Sequence, residues 1–398
     1  MLLKNEKILF DEKDDVVRKI SDEEINNKYI LGEVRIVTEQ ARYPLDTVCV
    51  MIESGNYNLN PDFQRRRRWS VEKKSKLIES FIMNVPIPPI FLYENEFSHY
   101  EVMDGLQRLT TIYDFYKDKF SLQGLNLWKE LNGKVYSELP EKVKKGIDRR
   151  YISSIILLQE SAKTEEKAVE MKQMVFERIN SGGVKLEEQE TRNALYDGKM
   201  NRLCIKLSRN PYVCRFLNIP EGNISEPEIQ DKLEKNEIYR KMGDVEFVLR
   251  FFAMRQLDGY SKKKLNDFFD YYLRKANGFD DELLEQLEHI FISTIKFAYD
   301  LFGVSAFYMY RKRINSDNDE SWNWFSRTTT TVYDPMMQVL CNLDSNKTQL
   351  LKKREQIQRA LPEFYQQNYD DFEGRNNNRV DIEKRIQKIN TFFRGFID

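Results

Sequence analysis

The chain has 398 residues and a formal net charge of −1, with 63 Lys and Arg residues against 64 Asp and Glu residues. Hydrophobic residues make up 41% and aromatic residues 13%, which is enough to build a large core and excludes wholesale disorder. The four cysteines are scattered and form no CxxC pair, which argues against a zinc site. The chain has only two histidines, His99 and His289, which argues against HExxH metalloproteases and Ser-His-Asp hydrolases.

In chain order, the first half alternates helix and strand signals. Apolar residues at helical spacing predict helices at residues 45–52, 77–82, 107–116 and 165–180. Gly55 ends the first of these helices, and Pro86 stops the second. Short apolar runs predict strands at residues 87–93, 100–103 and 151–158.

From about residue 198 the hydrophobic period is that of helices, with few strand signals, and residues 315–319 and 374–378 have the composition of exposed loops. The sequence therefore predicts an α+β chain: a small mixed sheet with helices, followed by a mostly α-helical domain. We expect an N-terminal arm at residues 1–30, a first domain at 31–197 and a helical domain at 198–398.

The sharpest local pattern is YEVMDGLQRLTT at residues 100–111. A strand ends at Asp104, Gly105 makes a tight turn and a helix begins at once, so free N–H groups at the helix start favour an anion. Arg108 adds a planar fork for phosphate oxygens. Asp104 has the chemistry to position a metal or a water, and Gln107 to orient a water. The hydroxyls of Thr110 and Thr111, in the first turn, suit a phosphate or a hydrated metal ion.

A plainer interpretation of the same pattern stays open. Asp104 is then an N-cap, Gly105 a turn residue and Arg108 a surface partner for an acid. Neither a Walker GxxxxGK[ST] motif nor a GxGxxG motif is present, so the two common nucleotide-binding fingerprints are missing.

A second pattern is basic. Residues 61–80 carry a net charge of +4, and Arg65–Arg68 is the only run of four arginines in the chain. Arginines beside Trp69 suit phosphate contact combined with stacking, and Lys73 extends the basic segment. The sequence predicts that Arg66, Arg67, Arg68, Trp69 and Lys73 contact nucleic acid. The alternative is a solvated charged loop paired with nearby acids.

A third pattern, FERINSGGVKLEEQETRNALY at residues 176–196, is by its residues an ordinary helix–turn–helix connection. Three patterns in this order resemble the signatures of the GmrSD-type N-terminal domain family. They are FQRRRRW, then PIPPIFLY with DGLQRLTT, and then the segment at residues 176–196. That family is named after modification-dependent restriction endonucleases.

The resemblance implies a ParB/sulfiredoxin-like fold for the first domain, in which the strand–Gly–x–x–Arg–helix element binds nucleotide phosphates. It further implies an NTPase coupled to DNA sensing or DNA cleavage in phage defence, with an NTP as cofactor and Mg²⁺ carried by that nucleotide. The residues that match the family motifs are Gln64, Arg65, Trp69, Asp104, Gly105, Gln107, Arg108, Asn180, Glu190, Arg192 and Asn193. Of these, the resemblance implies catalytic roles for Asp104, Gln107 and Arg108. It implies nucleotide binding by Gln64, Arg65, Gly105, Arg108, Asn180, Arg192 and Asn193.

Two departures from the family pattern bear on activity. The first glutamine of DGQQR is Leu106 here, which predicts weaker hydrolysis with binding retained, unless residue 106 simply packs in the core. The histidine-dependent nuclease half of the larger restriction enzymes is not visible. The functional alternatives are therefore an NTPase, a non-hydrolysing nucleotide- or DNA-binding adaptor that recruits a partner nuclease or other defence subunit, and a weak DNA nickase.

The expected location is the cytoplasm. No stretch approaches the ~20 apolar residues that span a bilayer, and the N-terminus turns acidic without a signal-peptide core. The expected partners are a nucleotide and DNA, with no membrane and no protein-held metal.

Overall fold

The computed structural model describes residues 2–10, 21–30, 36–59, 69–158, 165–180, 187–224, 226–259, 264–314, 320–373 and 378–397. Contacts divide the chain into two compact units. We call Asp14–Leu195 the sheet unit, and Met1–Lys13 together with Tyr196–Asp398 the helical unit. These units are defined by contacts alone, so the domain limits at residues 30 and 197 stay a prediction.

The sheet unit alternates helices and strands, as its hydrophobic spacing predicts. Its described helices are α1 Asp22–Ile30, α2 Val48–Glu53, α3 Val71–Met83, α4 Leu106–Tyr116, α5 Glu141–Asp148, α6 Glu165–Asn180 and α7 Glu188–Leu195. Its described strands are β1 Thr38–Pro44, β2 Tyr57–Asn58, β3 Ile90–Glu96, β4 His99–Asp104 and β5 Tyr151–Leu157. The predicted helices and strands of this half are confirmed, whereas β1, β2, α1 and α5 lie outside those predictions.

The five strands form one mixed sheet in the order β1-β5-β3-β4-β2. β1 pairs antiparallel with β5, so that Thr38 lies opposite Leu157 and Pro44 opposite Tyr151. β3 runs parallel to β5 and antiparallel to β4, and β2 runs parallel to β4. The central position of β3 brings its first residue, Ile90, close to the end of β4.

Side-chain alternation along the strands gives the sheet two covered faces. Ile90, Leu92 and Val102 lie on one face and share a hydrophobic core with residues of α2, α3 and α4. On the other face α6 lies against β4, where the Lys172 ammonium is 2.6 Å from the Glu101 carboxylate. Helices therefore cover one face of the sheet, α6 covers the other face at β4, and the β4–α4 turn follows the carboxyl end of β4.

The helical unit contains one described β-hairpin among its helices. Its helices are α8 Lys199–Ser208, α9 Pro211–Leu217, α10 Pro227–Lys235, α11 Glu237–Arg240, α12 Gly243–Met254, α13 Leu265–Ala276, α14 Asp281–Phe302, α15 Thr330–Asn342, α16 Lys347–Lys352, α17 Arg354–Gln367, α18 Tyr369–Phe372 and α19 Arg379–Arg394. The hairpin consists of β6 Met309–Ile314 and β7 Glu320–Phe325. The fold is thus α+β with a mostly helical second part. The loop predicted at residues 315–319 lies outside the described residues, and so do residues 374–377 of the loop predicted at 374–378.

Two buried ion pairs lie inside the helical unit. Arg250 on α12 binds both carboxylate oxygens of Asp334 on α15. Arg255 donates from Nε and Nη2 to the two oxygens of Glu6, at 2.6 and 2.7 Å, and both side chains are almost fully buried. The second pair fastens the N-terminal segment to the end of α12, together with the Gln256 amide, which donates to the Glu6 carbonyl.

The described helices include none that is long and apolar enough to cross a membrane.

Candidate functional site

The turn between β4 and α4 requires glycine. Gly105 has φ = +96°, in the left-handed region where a Cβ is costly. A Cβ there would also lie 2.4 Å from Ile90 Cγ2 and 3.0 Å from Arg108 Nη2. Ile90 on β3 therefore fills the space beneath the turn, and only glycine fits above it.

The first turn of α4 offers backbone donors. Gly105 is the N-cap residue, and no side chain caps the helix. Leu109 N–H donates to the Gly105 carbonyl, but within the described part of the chain the N–H groups of Leu106, Gln107 and Arg108 have no hydrogen-bond acceptor. Uncapped N–H groups at a helix start, together with the helix dipole, attract an anion.

Arg108 is fixed at this turn by one of its nitrogens. Its Nη2 donates to Asp104 Oδ2 at 2.8 Å and to the Pro89 carbonyl at 3.2 Å. The Arg108 side chain is 14% exposed, and its Nε is buried without a hydrogen-bond partner among the described residues. A buried guanidinium N–H without an acceptor is costly. The structure thus places a preoriented cation with a spare donor beside the uncapped helix start.

Gln107 connects this turn to the predicted basic segment. Its Oε1 accepts from Trp69 N–H at 3.3 Å, and the Lys73 ammonium lies 4.8 Å from the centre of the Trp69 ring. Trp69 itself packs against the core of the sheet unit. The structure therefore brings Trp69 and Lys73 to the same place as Asp104, Gly105, Gln107 and Arg108.

The neighbouring residues of α4 serve the helix and the core. Thr110 Oγ1 donates to the Leu106 carbonyl at 2.9 Å, and Thr111 Oγ1 donates to the Gln107 carbonyl at 2.6 Å. Both hydroxyl protons are therefore used inside the helix, and the Thr111 side chain is also fully buried. Leu106 is 8% exposed and belongs to the hydrophobic core, which supports the interpretation that residue 106 packs rather than orders water.

The third sequence pattern forms a buried polar group on α7. Arg192 and Asn193 are 1% and 0% exposed, and Gln189 joins them: its Oε1 accepts from Arg192 Nη1 and its Nε2 donates to Asn193 Oδ1. Glu190 accepts from Glu187 N–H at the start of the helix. Arg192 and Asn193 are thus bonded inside the protein rather than exposed to solvent.

Several predicted site residues lie outside the described residues. These are Gln64, Arg65, Arg66, Arg67 and Arg68, and the same holds for the side chain of Asn180. Their roles stay predictions.

Two contributors to this region were not identified from sequence. Pro89 supplies a backbone carbonyl to Arg108, a contact that neither the predicted strand at residues 87–93 nor the PIPPIFLY signature indicates. Glu79 on α3, 5% exposed, accepts backbone N–H groups from a loop 47–49 residues later in the chain. Neither contact leaves a local sequence signal, because each depends on tertiary structure.

The arrangement of donors suits an anion. Among the described residues there is no group of three His, Cys, Asp or Glu side chains placed to hold a metal ion. The donors that are present, three backbone N–H groups and a guanidinium, suit phosphate oxygens. The Asp104 carboxylate, 38% exposed, and the amide of Gln107 are the groups at hand for a water or a hydrated cation.

Comparison with known families agrees with the motifs. The family model of the GmrSD restriction endonuclease N-terminal domain matches residues 48–196. That range begins at α2, contains the Gly105 turn and ends just after α7. Comparisons with curated proteins and with solved structures gave no match.

Proposed function

Since residues 48–196 belong to the GmrSD N-terminal domain family, we propose that the chain is a nucleotide-binding NTPase that couples NTP binding or hydrolysis to DNA sensing. Membership in the family supports a role in a restriction-like anti-phage system. The nucleotide, the hydrolysis and the DNA are the parts of this function that the proposal adds.

The observation that carries the proposal is the convergence of unsatisfied donors at the β4–α4 turn. Three N–H groups of α4 and the buried Nε of Arg108 have no acceptor among the described residues. A nucleotide phosphate would satisfy several of these donors at once. Gly105 gives the backbone the positive φ from which α4 begins without a side-chain cap, so these N–H groups remain available to a phosphate.

Each residue at the turn would have a separate role in phosphoryl transfer. Such reactions depend mainly on positioning and on stabilising charge spread over the phosphoryl oxygens, which needs no histidine. The Arg108 guanidinium and the α4 N–H groups would hold the phosphates, with Mg²⁺ carried by the nucleotide. Gln107, held by Trp69 through its Oε1, keeps its amide N–H groups for a water. Asp104 orients Arg108 and would accept from a water or from a hydrated Mg²⁺.

The basic segment is the proposed DNA contact. Arg66, Arg67 and Arg68 would bind phosphates of the backbone, next to Trp69 and Lys73 at the nucleotide turn. Each phosphate neutralised changes the slope of log K against log salt by about 0.7–0.9. Neutralising the three arginines should therefore flatten that slope by about two to three if each touches a phosphate. An unchanged slope would contradict the contact.

Calorimetry with a panel of NTPs tests the nucleotide site. Loss of the Arg108 fork should cost about 1.5–3 kcal/mol, so Arg108→Ala should bind roughly 10- to 150-fold more weakly. Arg42→Ala, an arginine on β1, is the matched control and should bind as the unchanged protein does. Unchanged affinity in a folded Arg108→Ala variant would refute the site.

The same panel separates the enzyme from the adaptor. Phosphate release is measured with and without DNA at saturating NTP. Turnover that DNA alters supports the NTPase. Tight nucleotide binding without phosphate release under either condition would favour the alternative, an adaptor that recruits a nuclease.

A further inference from the structure

The loop that follows α4 is fastened along one side of α3. Ser75 Oγ accepts from Gln123 N–H at 2.9 Å. Further along α3, Glu79 Oε1 accepts from the N–H groups of residues 126, 127 and 128, at 3.1, 2.9 and 3.1 Å. One almost buried carboxylate oxygen thus binds three consecutive backbone donors, which fixes the loop backbone at this point.

The loop nevertheless presents apolar side chains to solvent. Leu127 is 70% exposed and Trp128 is 38% exposed. A large aromatic side chain that is held at its backbone and open at its ring is preorganised to bind a flat partner, because little entropy remains to be lost on binding.

Two lysines lie on α3 between this loop and Trp69. Lys73 and Lys76 are exposed, and neither forms an ion pair within the described part of the chain. Lys76 is one helical turn from Lys73 and from Glu79, which places it beside the loop that Glu79 holds. Glu72 is the acid on this side. Hydrogen bonds from its own backbone N–H and from Ser70, together with the charge of Lys76, hold the pKa of its carboxyl below the usual value.

These residues form a short strip with a tryptophan at each end. Trp69 precedes the first turn of α3, and Trp128 is held at Glu79. At 1.5 Å per residue, Ser70 and Glu79 are about 14 Å apart along the helix. The order along the strip is an aromatic ring, two ammonium groups outside any described ion pair, and a second aromatic ring.

We propose that Trp69, Lys73, Lys76 and Trp128, here called the Trp–Lys strip, bind single-stranded nucleic acid. Stacking on aromatic rings needs unpaired bases, because a duplex buries the faces of its bases. Lysines between the rings suit the sugar–phosphate backbone, and neither kind of contact selects a sequence. The inference rests on the proposed function in taking DNA as the partner, and it specifies that the strand is unpaired where it meets the strip.

The strip continues from the nucleotide site. Trp69 N–H donates to Gln107 Oε1, so a strand bound at Lys73, whose ammonium lies over the Trp69 ring, is next to the residue that would orient water. The hydrogen bond between Trp69 and Gln107 would thus connect the bound strand to the site of hydrolysis.

Fluorescence anisotropy with a labelled thymidine oligonucleotide, and with a duplex of equal length, tests the strip. Trp128→Ala should bind the single strand roughly 5- to 150-fold more weakly, the range for loss of one stacked base. Trp128→Phe should retain most of the affinity, and Lys76→Gln should flatten the salt slope by about 0.7. Trp324→Ala, 39% exposed on β7 of the helical unit, is the matched control and should change nothing.

Intrinsic fluorescence provides a second readout that does not depend on labelled DNA. The oligonucleotide should quench tryptophan emission, and Trp128→Phe should remove part of the quenching while binding persists. Equal affinity of Trp128→Ala and the unchanged protein, or a preference of the protein for duplex, would overturn the inference. Unchanged strand binding together with loss of a protein partner would also overturn it, in favour of a docking surface.

NTP affinity in the same variants keeps the two proposals apart. The strip variants should bind NTP normally, and Arg108→Ala should still bind the oligonucleotide. Failure of NTP binding in the unchanged protein would end the proposed NTPase and leave the strip standing. Normal NTP binding without any strand binding would end the strip alone.

Discussion

Replacing Gly105 with alanine should strain the candidate site in two separable ways. The φ of +96° places an L-residue in the left-handed region, at a cost of about 1–2 kcal/mol. The new Cβ would lie 2.4 Å from Ile90 Cγ2, and overpacking of that kind typically costs about 1–3 kcal/mol. We expect Gly105→Ala to lower the free energy of unfolding of the sheet unit by about 2–5 kcal/mol.

Gly55 supplies the control, because it has φ = +78° and no described atom lies within 4 Å of the position that its Cβ would take. Gly55→Ala should therefore lose only the backbone part, about 1–2 kcal/mol. Urea titrations followed by tryptophan fluorescence give both values, and calorimetry gives the NTP affinity of each folded variant. NTP affinity should fall for Gly105→Ala alone. Equal stability losses in the two variants would refute the role assigned to Ile90. Full NTP affinity in Gly105→Ala would contradict the placement of the phosphate at this turn.

Three further outcomes are expected. Leu106→Gln should lower the free energy of unfolding by about 1–3 kcal/mol, because it buries an amide in the core, without raising NTP turnover; faster turnover at unchanged stability would restore the water-ordering role. Glu6→Ala should cost about 3–5 kcal/mol by leaving Arg255 buried without its carboxylate, which a thermal melt against the exposed Glu228→Ala control would show; equal melting temperatures would contradict it. Burial raises the pKa of the Cys204 thiol, so iodoacetamide at about pH 8 should label Cys204 only after unfolding. Mass spectrometry would locate the label, and labelling of Cys204 in the native protein would contradict this burial.

Hydrophobic spacing predicted the helices and strands whose buried residues recur at a regular interval in the local sequence. The helix after Gly105 and the strands at Ile90 and Tyr151 are of this kind. β1, by contrast, has the sequence TEQARYP and is largely exposed at the edge of the sheet, so it lacks an apolar alternation that could be recognised. The hairpin of β6 and β7 was missed for a related reason, because its charged and aromatic residues give no clear period of two.

The candidate site divides in the same way. The turn itself was predictable, because a strand end, a glycine and a helix start are consecutive in sequence. The anchoring of Arg108 by Pro89 was not, since it depends on β3 lying beside β4. The packing of Leu106 in the core also depends on tertiary structure, and the sequence could only state both alternatives.

The Glu6–Arg255 pair has a consequence for biosynthesis. Its two members are 249 residues apart in the chain, and the intervening residues include the whole sheet unit. At roughly 5–20 residues per second, the ribosome completes Arg255 about 12–50 s after Glu6. The sheet unit can fold in that interval, whereas the nascent N-terminal segment, with Ile8, Leu9 and Phe10, must wait without its partners. A chaperone that shields short apolar segments during translation would find its substrate there.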